Sequence, residues 1–441
     1  MIDHENVTAQ DGPLADGAEP LAWGSHDLGW PADPFGAYAR AHAAGPVCRT
    51  ALPGGRRVWV ITGYSEAKSA LADPRLSTDG RRFFRRWWGQ PAPGGARSAG
   101  TGQVETRPAR TGPAQETGLD VSLAEHMLST DPPDHTRLRR LVSQAFTLTR
   151  VEALRPRVVE IATELADGLG GRRGADLIAD FAFPFPIRVI CELLGVPATD
   201  ERRFRDWFGA VIATGPIEET RQRAQLAALE VAGYLSALLT DKRAAPSDDV
   251  ISALVAARDG ERVLSEAELM STVFLLLLAG HETTVNLIGN GMAALLQHPE
   301  QLALLRDRPE LVASAVEELL RYDGPVHHPT LRFTVEPIRV GPVTIPAGAV
   351  VLVALGAANR DPARYPDADR LDITRHDGPH LAFGHGTHFC LGAPLARVEG
   401  QVALSLLVER FPALRFAEPH GDLVWRDGIF LRGLESLPVR F

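Results

Sequence analysis

The sequence predicts a mainly α-helical protein with small β-sheets, folded as a single large domain. Three observations indicate this class. Helical hydrophobic periodicity continues from Asp131 to about Asp323, interrupted only by short Gly and Pro breaks. Strand patterns occur before and after this region. The 441 residues are 45% hydrophobic, which is enough to fill a large core, and no internal repeat divides them.

Regular structure is predicted to begin with a short helix over 31–44. Strands follow at 47–50 and 57–62, and then a capped helix at 65–72. After the helix-start signal Asp131-Pro132-Pro133, helices are predicted at roughly 134–146, 150–169, 185–194, 200–213, 217–242, 248–257, 265–297 and 309–322. Strands return at 331–334, 338–340, 343–345 and 350–353, and strands and turns at 414–416 and 423–431.

Two segments are predicted to lack regular structure. Residues 1–22 are polar and acidic and are predicted to be a disordered N-terminal tail before a domain that spans 23–441. Residues 89–118 are rich in Gly, Pro, Ala, Thr and Arg and are predicted to be a flexible insert. The basic-aromatic run 81–88 has two interpretations: a segment folded against its own protein, or a contact with a membrane, a nucleic acid or a partner.

Charge and cysteine content restrict the function further. The net charge of −9 gives a nucleic-acid role no electrostatic support. Cys48, Cys191 and Cys390 are odd in number and far apart, which favours a reducing cytosol over a disulfide framework. The first 22 residues contain no apolar signal-peptide core, and the longest apolar run, Val273–Ala279, is far short of a membrane span. We therefore expect a cytoplasmic protein that binds neither nucleic acid nor membrane.

The stretch Phe383–Gly392 sets one cysteine among glycines. Gly384 and Gly386 suit a tight hairpin whose backbone needs φ > 0 or passes close to a ligand. A helical pattern over 391–410 follows Cys390, so free N–H groups and the helix dipole are predicted to stabilise its thiolate. Such a thiolate suits an axial heme ligand. A zinc knuckle would need further ligands nearby, and a buried, inert cysteine would leave the rest of the pattern to coincidence.

The spacing Phe-Gly-x-Gly-x-His-x-Cys-x-Gly resembles the heme-binding signature of the cytochrome P-450 superfamily at all six fixed positions. The resemblance implies the P-450 fold, with heme b (iron protoporphyrin IX) as cofactor and Cys390 as the ligand to its iron. Phe383, Gly384, His388 and Gly392 would contact the cofactor. A second interpretation is a hydrolase or transferase with Cys390 and His388 as nucleophile and base. A third is a non-enzymatic heme carrier or sensor.

The long predicted helix 265–297 carries the polar run His-Glu-Thr-Thr at 281–284 in an otherwise apolar sequence. Such a run is costly unless it faces a cavity or finds partners, and the small Ala279 leaves room for a ligand just before it. An acid beside an alcohol can relay protons. The stretch resembles the family's oxygen-activation motif, which implies that Glu282 is the acid, Thr283 the alcohol beside dioxygen, and Ala279 a cofactor contact.

Glu318 and Arg321 are three residues apart and therefore share a helix face. Alone, such a pair is usually a solvated surface pair. In its position along the chain, this pair resembles the family's Glu-x-x-Arg pair. The resemblance implies a buried network with an arginine of a later loop, here Arg370. The role of this network would be structural, bracing the loop that holds Cys390.

Heme also carries two propionates, which need cationic partners. His135 and Arg139 are four apart and share a helix face, Arg332 starts a strand, and His388 precedes the cysteine by two residues. All four match positions where members of the family contact the propionates. Arginine suits this task through its bidentate geometry.

The resemblance covers residues 25–441, and several segments look most like actinobacterial macrolide and polyketide tailoring hydroxylases. It implies a heme-thiolate monooxygenase that uses O2 and two electrons to hydroxylate or epoxidise a bulky lipophilic natural product. We expect a macrolide or other polyketide in antibiotic biosynthesis, with a terpenoid, steroid or peptide natural product as the alternative. No Rossmann or flavin fingerprint is visible, so NAD(P)H would supply electrons through a ferredoxin reductase and a ferredoxin, which docks near Arg137 and Arg140. The predicted substrate contacts are Leu278, Ala279, Thr283, Val326, Ile429 and Phe430.

Overall fold

The structure, a computed structural model, describes residues 34–52, 56–80, 123, 125–197, 201–212, 217–260, 262–418 and 423–441. The predicted tail 1–22, the basic-aromatic run 81–88 and the predicted insert 89–118 lie outside these ranges. The α-helices are α1 Phe35–Ala44, α2 Tyr64–Ala72, α3 Asp134–Ala145, α4 Leu148–Leu169, α5 Pro184–Leu194, α6 Glu201–Ile212, α7 Ile217–Ala244, α8 Val250–Ala256, α9 Glu266–Gln297, α10 Pro299–Asp307, α11 Val312–Asp323, α12 Leu355–Ala358 and α13 Ala393–Arg410. The strands are β1 Val47–Leu52, β2 Arg56–Ile61, β3 Leu76–Ser77, β4 Gly174–Asp176, β5 Arg332–Thr334, β6 Ile338–Val340, β7 Val343–Ile345, β8 Val350–Val353, β9 Arg415–Phe416 and β10 Pro438–Arg440.

The central helix α9 organises the helical body. It begins with a capping box, in which the Ser265 hydroxyl accepts a hydrogen bond from the N–H of Glu268 and the Glu268 carboxylate accepts one from the N–H of Ser265. The helix is apolar on nearly all sides and packs against α5, α7, α11 and α13. Length and hydropathy alone would let α9 cross a membrane, but 78% of its most apolar 18-residue stretch is buried inside the protein. It is therefore a core helix.

A five-stranded sheet joins strands from residues 47–77 with strands from residues 332–353. Its strand order is β1-β2-β8-β5-β3; β2 and β8 run parallel, with Trp59 opposite Val351, and the other neighbours are antiparallel. Valine and leucine fill β8, which is buried throughout, as expected of a central strand. Because β5 lies between β8 and β3, Arg332 comes close to the residues that follow β3. The smaller sheets have the orders β4-β10-β9 and β6-β7.

The predicted class, mainly α with small sheets, is confirmed, and strands β6, β7 and β8 have the predicted bounds. Within the residues that the structure describes, the sequence analysis missed two α-helices. The predicted break between 297 and 309 includes Pro299, which is instead the first residue of α10. Proline is well tolerated at that position, because the first helical N–H has no partner within the helix. The other, α12, is a single turn of four residues, too short for a periodic pattern to reveal.

Candidate functional site

The loop before α13 holds Cys390 in a fixed backbone. The N–H of Cys390 donates to the carbonyl oxygen of Phe383 at 2.9 Å. Gly384 and Gly386 have φ of 71° and 72°, in the left-handed region that favours glycine, as the sequence predicts. A Cβ on Gly386 would lie 2.9 Å from the Cα of Ala72, so α2 packs directly on the loop. The position of the cysteine is thus set by its own hairpin and by a neighbouring helix.

The surroundings of Cys390 favour a thiolate less than predicted. One side of the side chain is open, but burial on the others raises the pKa of the thiol above its ordinary value. The backbone N–H groups of Gly392 and Ala393 and the guanidinium groups of Arg139 and Arg397 act in the opposite direction without outweighing burial. The helix N-terminus therefore acts in the predicted direction, lowering the pKa of the thiol, but burial has the larger effect. A metal ion at the sulfur would supply the missing charge, because a coordinating thiol is deprotonated outright.

Four predicted site residues converge beside this loop. The rings of His135 on α3 and His388 in the loop have centroids 4.3 Å apart. Arg139, one turn after His135, donates from Nη2 to the carbonyl oxygen of Phe389 at 2.7 Å. Arg332 is buried on β5, and its charge acts on both imidazoles. Sequence reasoning placed these side chains together through family resemblance, and the structure gives the same grouping.

This cluster is rich in buried donors and poor in acceptors. Burial lowers the pKa of Arg332 to about 10 and that of His388 to about 3, the latter helped by the neighbouring cations. Within the described part of the chain, neither ring nitrogen of His135 has a hydrogen-bond partner, nor has Nε of Arg332. Asp131 is the nearby carboxylate, but its oxygens already accept hydrogen bonds from the β3 segment. Buried donors are normally hydrogen-bonded, and an anionic acceptor binds a guanidinium most strongly. The cluster therefore fits the two propionates of heme.

Arg332→Leu is expected to weaken heme retention by about tenfold to a hundredfold. A hydrogen bond to a charged group is worth about 1.5–3 kcal/mol, and the substitution removes it without opening the pocket to solvent. The measurement is the rate of heme transfer to an excess of apomyoglobin. Arg339→Leu, which changes an exposed arginine on β6, is the control and should leave the rate unchanged. Equal transfer rates in the two variants would contradict the assignment of Arg332 to a propionate.

One face of α9 is open where the rest of the helix is buried. Leu278 and Thr283 are half-buried and Ala279 is exposed, so the three predicted contacts share one surface. The Thr283 hydroxyl donates to the carbonyl oxygen of Ala279 at 2.8 Å, which holds it on this face. The next residue, Thr284, turns inward and donates to the buried carboxyl of Glu399 at 3.4 Å. A hydroxyl at position 283 can therefore reach a ligand, whereas one at 284 cannot.

Glu282 is buried and does not share the open face. Its carboxylate accepts a hydrogen bond from the guanidinium of Arg426, in the C-terminal segment, and lies 4.0 Å from Nδ1 of His281. Burial raises the pKa of the Glu282 carboxyl above its ordinary value, while Arg426 and the side chain of Asn286 act in the opposite direction. Sequence reasoning missed Arg426, because 144 residues separate it from its partner and no local pattern marks it.

The predicted substrate contacts outside α9 lie on two segments that pair with each other. Val326 pairs with Leu431 in an antiparallel bridge, and the N–H of His327 donates to the carbonyl oxygen of Phe430 at 3.0 Å. Val326 and Ile429 are half-buried, and Phe430 is 40% exposed. The structure therefore brings these three predicted residues together, although they come from segments about a hundred positions apart.

Glu318 and Arg321 form the predicted buried pair on α11, with Nε–Oε2 and Nη2–Oε1 distances of 2.7 and 2.8 Å. The predicted third member is wrong. The side chain of Arg370 is exposed, and this residue contributes only its carbonyl oxygen, 3.2 Å from Nη2 of Arg321. Because the loop folds back over α11, Arg375 reaches the site instead, with its Nε 3.3 Å from Glu318 and its side chain 9% exposed. Arg375 also binds the carbonyl oxygens of Pro366, Asp367 and Arg370 and the carboxylate of Asp377.

Comparisons with known proteins show similarity to one family over most of the chain. A family model described as cytochrome P-450 matches residues 215–415. Cytochrome P-450 107B1 of Saccharopolyspora erythraea is 49% identical over 404 residues, which are 91% of this chain and 94% of the relative. The 6-deoxyerythronolide B hydroxylase of the same organism is 45% identical over 410 residues, 92% of this chain and 96% of the relative. The solved structure of the tirandamycin C-bound P-450 monooxygenase TamI has a TM-score of 0.80 and 44% identity, covering 92% of this chain and 97% of that one.

The chain therefore belongs to the cytochrome P-450 family. It is a monooxygenase with a heme-thiolate centre, and like its family it acts on a small molecule with electrons received from redox partners. The hydrolase and heme-sensor interpretations of the cysteine loop are set aside by this membership.

Proposed function

We propose that this monooxygenase hydroxylates or epoxidises a macrolide or other polyketide in secondary-metabolite biosynthesis, as one domain spanning 23–441. The proposal depends on its similarity over 92% of the chain to a 6-deoxyerythronolide B hydroxylase and to a tirandamycin-binding monooxygenase. The open face of α9 at Leu278 and Ala279 and the turn at Ile429 and Phe430 add support. Both are apolar, which suits a bulky lipophilic substrate.

In this proposal Cys390 would ligate the iron, and the cluster beside it would bind the propionates. Phe383, Gly384 and Gly392 of the cysteine loop, and Ala279 on the open face of α9, would complete the site that holds the cofactor. When bound, the heme supplies oxygen activation and insertion of one oxygen atom into the substrate. The propionate ligands are His135, Arg139, Arg332 and His388.

Glu282 and Thr283 are proposed to deliver protons, because oxygen activation consumes two protons. The Thr283 hydroxyl lies on the open face, where its O–H donates to the carbonyl oxygen of Ala279 and its oxygen can accept a hydrogen bond from a ligand or a proton donor. The Glu282 carboxyl lies next to it in sequence, and burial raises its pKa, so it holds a proton closer to neutral pH than an exposed glutamate does. The pair can thus take protons from the protein side and present them on the ligand side.

We further infer a cytoplasmic enzyme whose electrons come from NAD(P)H through a ferredoxin reductase and a ferredoxin. The ferredoxin would dock near Phe389, which is 41% exposed beside the cysteine. Arg140 pairs with Asp259 but keeps 59% of its side chain exposed, so it remains available for docking. Arg137 is bound to Glu268 and is only 17% exposed, which makes it a structural residue rather than a docking one.

A spin-state titration tests the substrate class. The heme-loaded protein is titrated with 6-deoxyerythronolide B, tirandamycin C, progesterone and limonene, and the low-spin to high-spin shift of the Soret band is recorded. We expect the two polyketides to give the tightest binding. A larger shift and tighter binding with progesterone or limonene would move the assignment to the steroid or terpenoid alternative.

Thr283→Ala is expected to divert reducing equivalents from product to hydrogen peroxide, with product formation falling roughly tenfold or more. Loss of a positioned proton donor typically costs a factor of about 10² or more in the step that it serves. The measurement is product and peroxide formed per NADPH with a surrogate ferredoxin system and the best ligand of the titration. Thr284→Val is the matched control, because its hydroxyl points away from the open face. Equal coupling in both variants would remove Thr283 from the proton path.

A further inference from the structure

The residues 424–435 form a hairpin, called here the C-terminal hairpin. Trp425 and Leu434 pair in an antiparallel bridge, and the N–H of Arg426 donates to the carbonyl oxygen of Gly433 at 2.9 Å. Arg426 therefore has a fixed backbone rather than the freedom of a loop. Its side chain is 29% exposed, so the guanidinium lies between solvent and the protein interior.

The hairpin lies directly on α9, one turn after the catalytic run. A Cβ on Gly433 would collide with the side-chain amide of Asn286, so only glycine permits this close approach. The contact brings Arg426 to the carboxylate of Glu282, to which it donates a hydrogen bond. Among the described residues, the charged or titratable groups that act on this carboxyl are Arg426, from the hairpin, and His281, on its own helix.

The far end of the hairpin is also anchored. The carbonyl oxygen of Ile429 is 2.5 Å from Nδ1 of the buried His328. Arg432 donates from Nε to Asp323 at 2.8 Å, and its guanidinium lies 3.4 Å from the centre of the Trp425 ring. These contacts pin the hairpin to α11 and to the segment after it. Arg426 is therefore held at Glu282 by the fold, not by the pairing alone.

We propose that Arg426 is a positioning residue for the proton-donating carboxyl of Glu282, held in place by the C-terminal hairpin. The inference depends on the proton role proposed above for Glu282. Arginine does not give up its own proton, so Arg426 acts through charge and hydrogen bonding. Paired with Arg426, the carboxylate is stabilised; once the pair opens at its solvent-facing side, the carboxylate accepts a proton from water and passes it on toward Thr283.

The test measures the protonation of Glu282 directly. The C=O stretch of buried protonated carboxyls is followed by difference infrared spectroscopy against pH in the heme-loaded protein. Burial also raises the pKa of the Glu399 carboxyl, so Glu282→Gln is used to assign the band that disappears. In Arg426→Gln we expect the assigned band to persist to a pH higher by about 1 unit or more, because a stabilising positive charge has been removed. Arg426→Lys keeps the charge and should titrate near the wild-type midpoint.

A second readout separates positioning from mere packing. Arg426→Gln should raise the share of consumed O2 released as hydrogen peroxide severalfold, with the reduced carbonyl spectrum unchanged, and Arg426→Lys should restore most of the coupling. Arg155→Gln, which breaks a surface pair with Glu152, is the control and should match the wild type. A wild-type titration midpoint and wild-type coupling in Arg426→Gln would overturn the inference. If Glu282→Gln itself leaves coupling unchanged, the proton role of Glu282 fails, and the inference with it.

Discussion

Cys390→Ser is expected to abolish both the thiolate spectrum and oxygen insertion. In the wild type, burial raises the pKa of the Cys390 thiol, and the nearby N–H groups and arginines compensate only in part. Ionisation therefore depends on the charge of the metal, which is sufficient for a thiol. A serine hydroxyl is a far weaker acid, so the same pocket would leave it neutral. The variant would lose the anionic sulfur that favours O–O cleavage in heme-thiolate enzymes.

The spectrum of the reduced carbonyl complex measures this directly. The wild type should show the strongly red-shifted Soret band of a thiolate-ligated heme, and Cys390→Ser should not, with product formation falling to the background of the assay. Cys48→Ser is the matched control, since this half-buried cysteine lies on β1 in the five-stranded sheet. Retention of both the red-shifted band and turnover in Cys390→Ser would refute the assignment of the metal ligand.

Prediction from the sequence succeeds best where the residues that form a functional feature lie close together along the chain. Phe383–Gly392 encodes its own hairpin, because glycine is needed at two positive-φ positions, and the helical pattern after it fixes the direction of α13. The long apolar period of α9 likewise reveals both the core helix and the polar run that interrupts it. In both stretches the responsible residues are neighbours in sequence.

Prediction fails where two distant segments must meet. Arg426 reaches Glu282 across 144 positions, and nothing in the residues around either one indicates the other. The same cause explains why the sequence predicted Arg370 at a place that Arg375 occupies. Both arginines lie in the same loop, and only the path of the folded chain decides which side chain reaches Glu318 on α11. At Cys390 the sequence indicates the stabilising N–H groups of the helix terminus but not the opposing effect of burial, which is a property of the whole fold.

Glu318→Gln is expected to lower the free energy of unfolding by about 3–5 kcal/mol. Both side chains of the Glu318–Arg321 pair are 2% exposed, and Arg375 approaches the same carboxylate. Neutralising the glutamate leaves two guanidinium groups with little solvent and no negative charge between them. Removing one partner from a buried pair is more costly than the net value of the pair, because the remaining charge stays desolvated. Urea denaturation of the heme-loaded protein, followed by far-UV circular dichroism, gives the difference.

Arg375→Gln and Arg370→Gln separate the observed network from the one predicted by resemblance. Arg375 binds Glu318 and three carbonyl oxygens of the loop before Cys390, so its loss should destabilise the protein by about 3 kcal/mol and accelerate heme release. Arg370 offers only a backbone carbonyl, which glutamine retains. Replacing its exposed side chain should change the free energy of unfolding by less than about 0.5 kcal/mol. If Arg370→Gln proves the more damaging change, the loop does not fold back over α11 as described. Because Arg375 helps to tie this loop to α11, its loss should also disturb the cysteine loop that the network is proposed to brace. The Soret band should then broaden before the helices unfold.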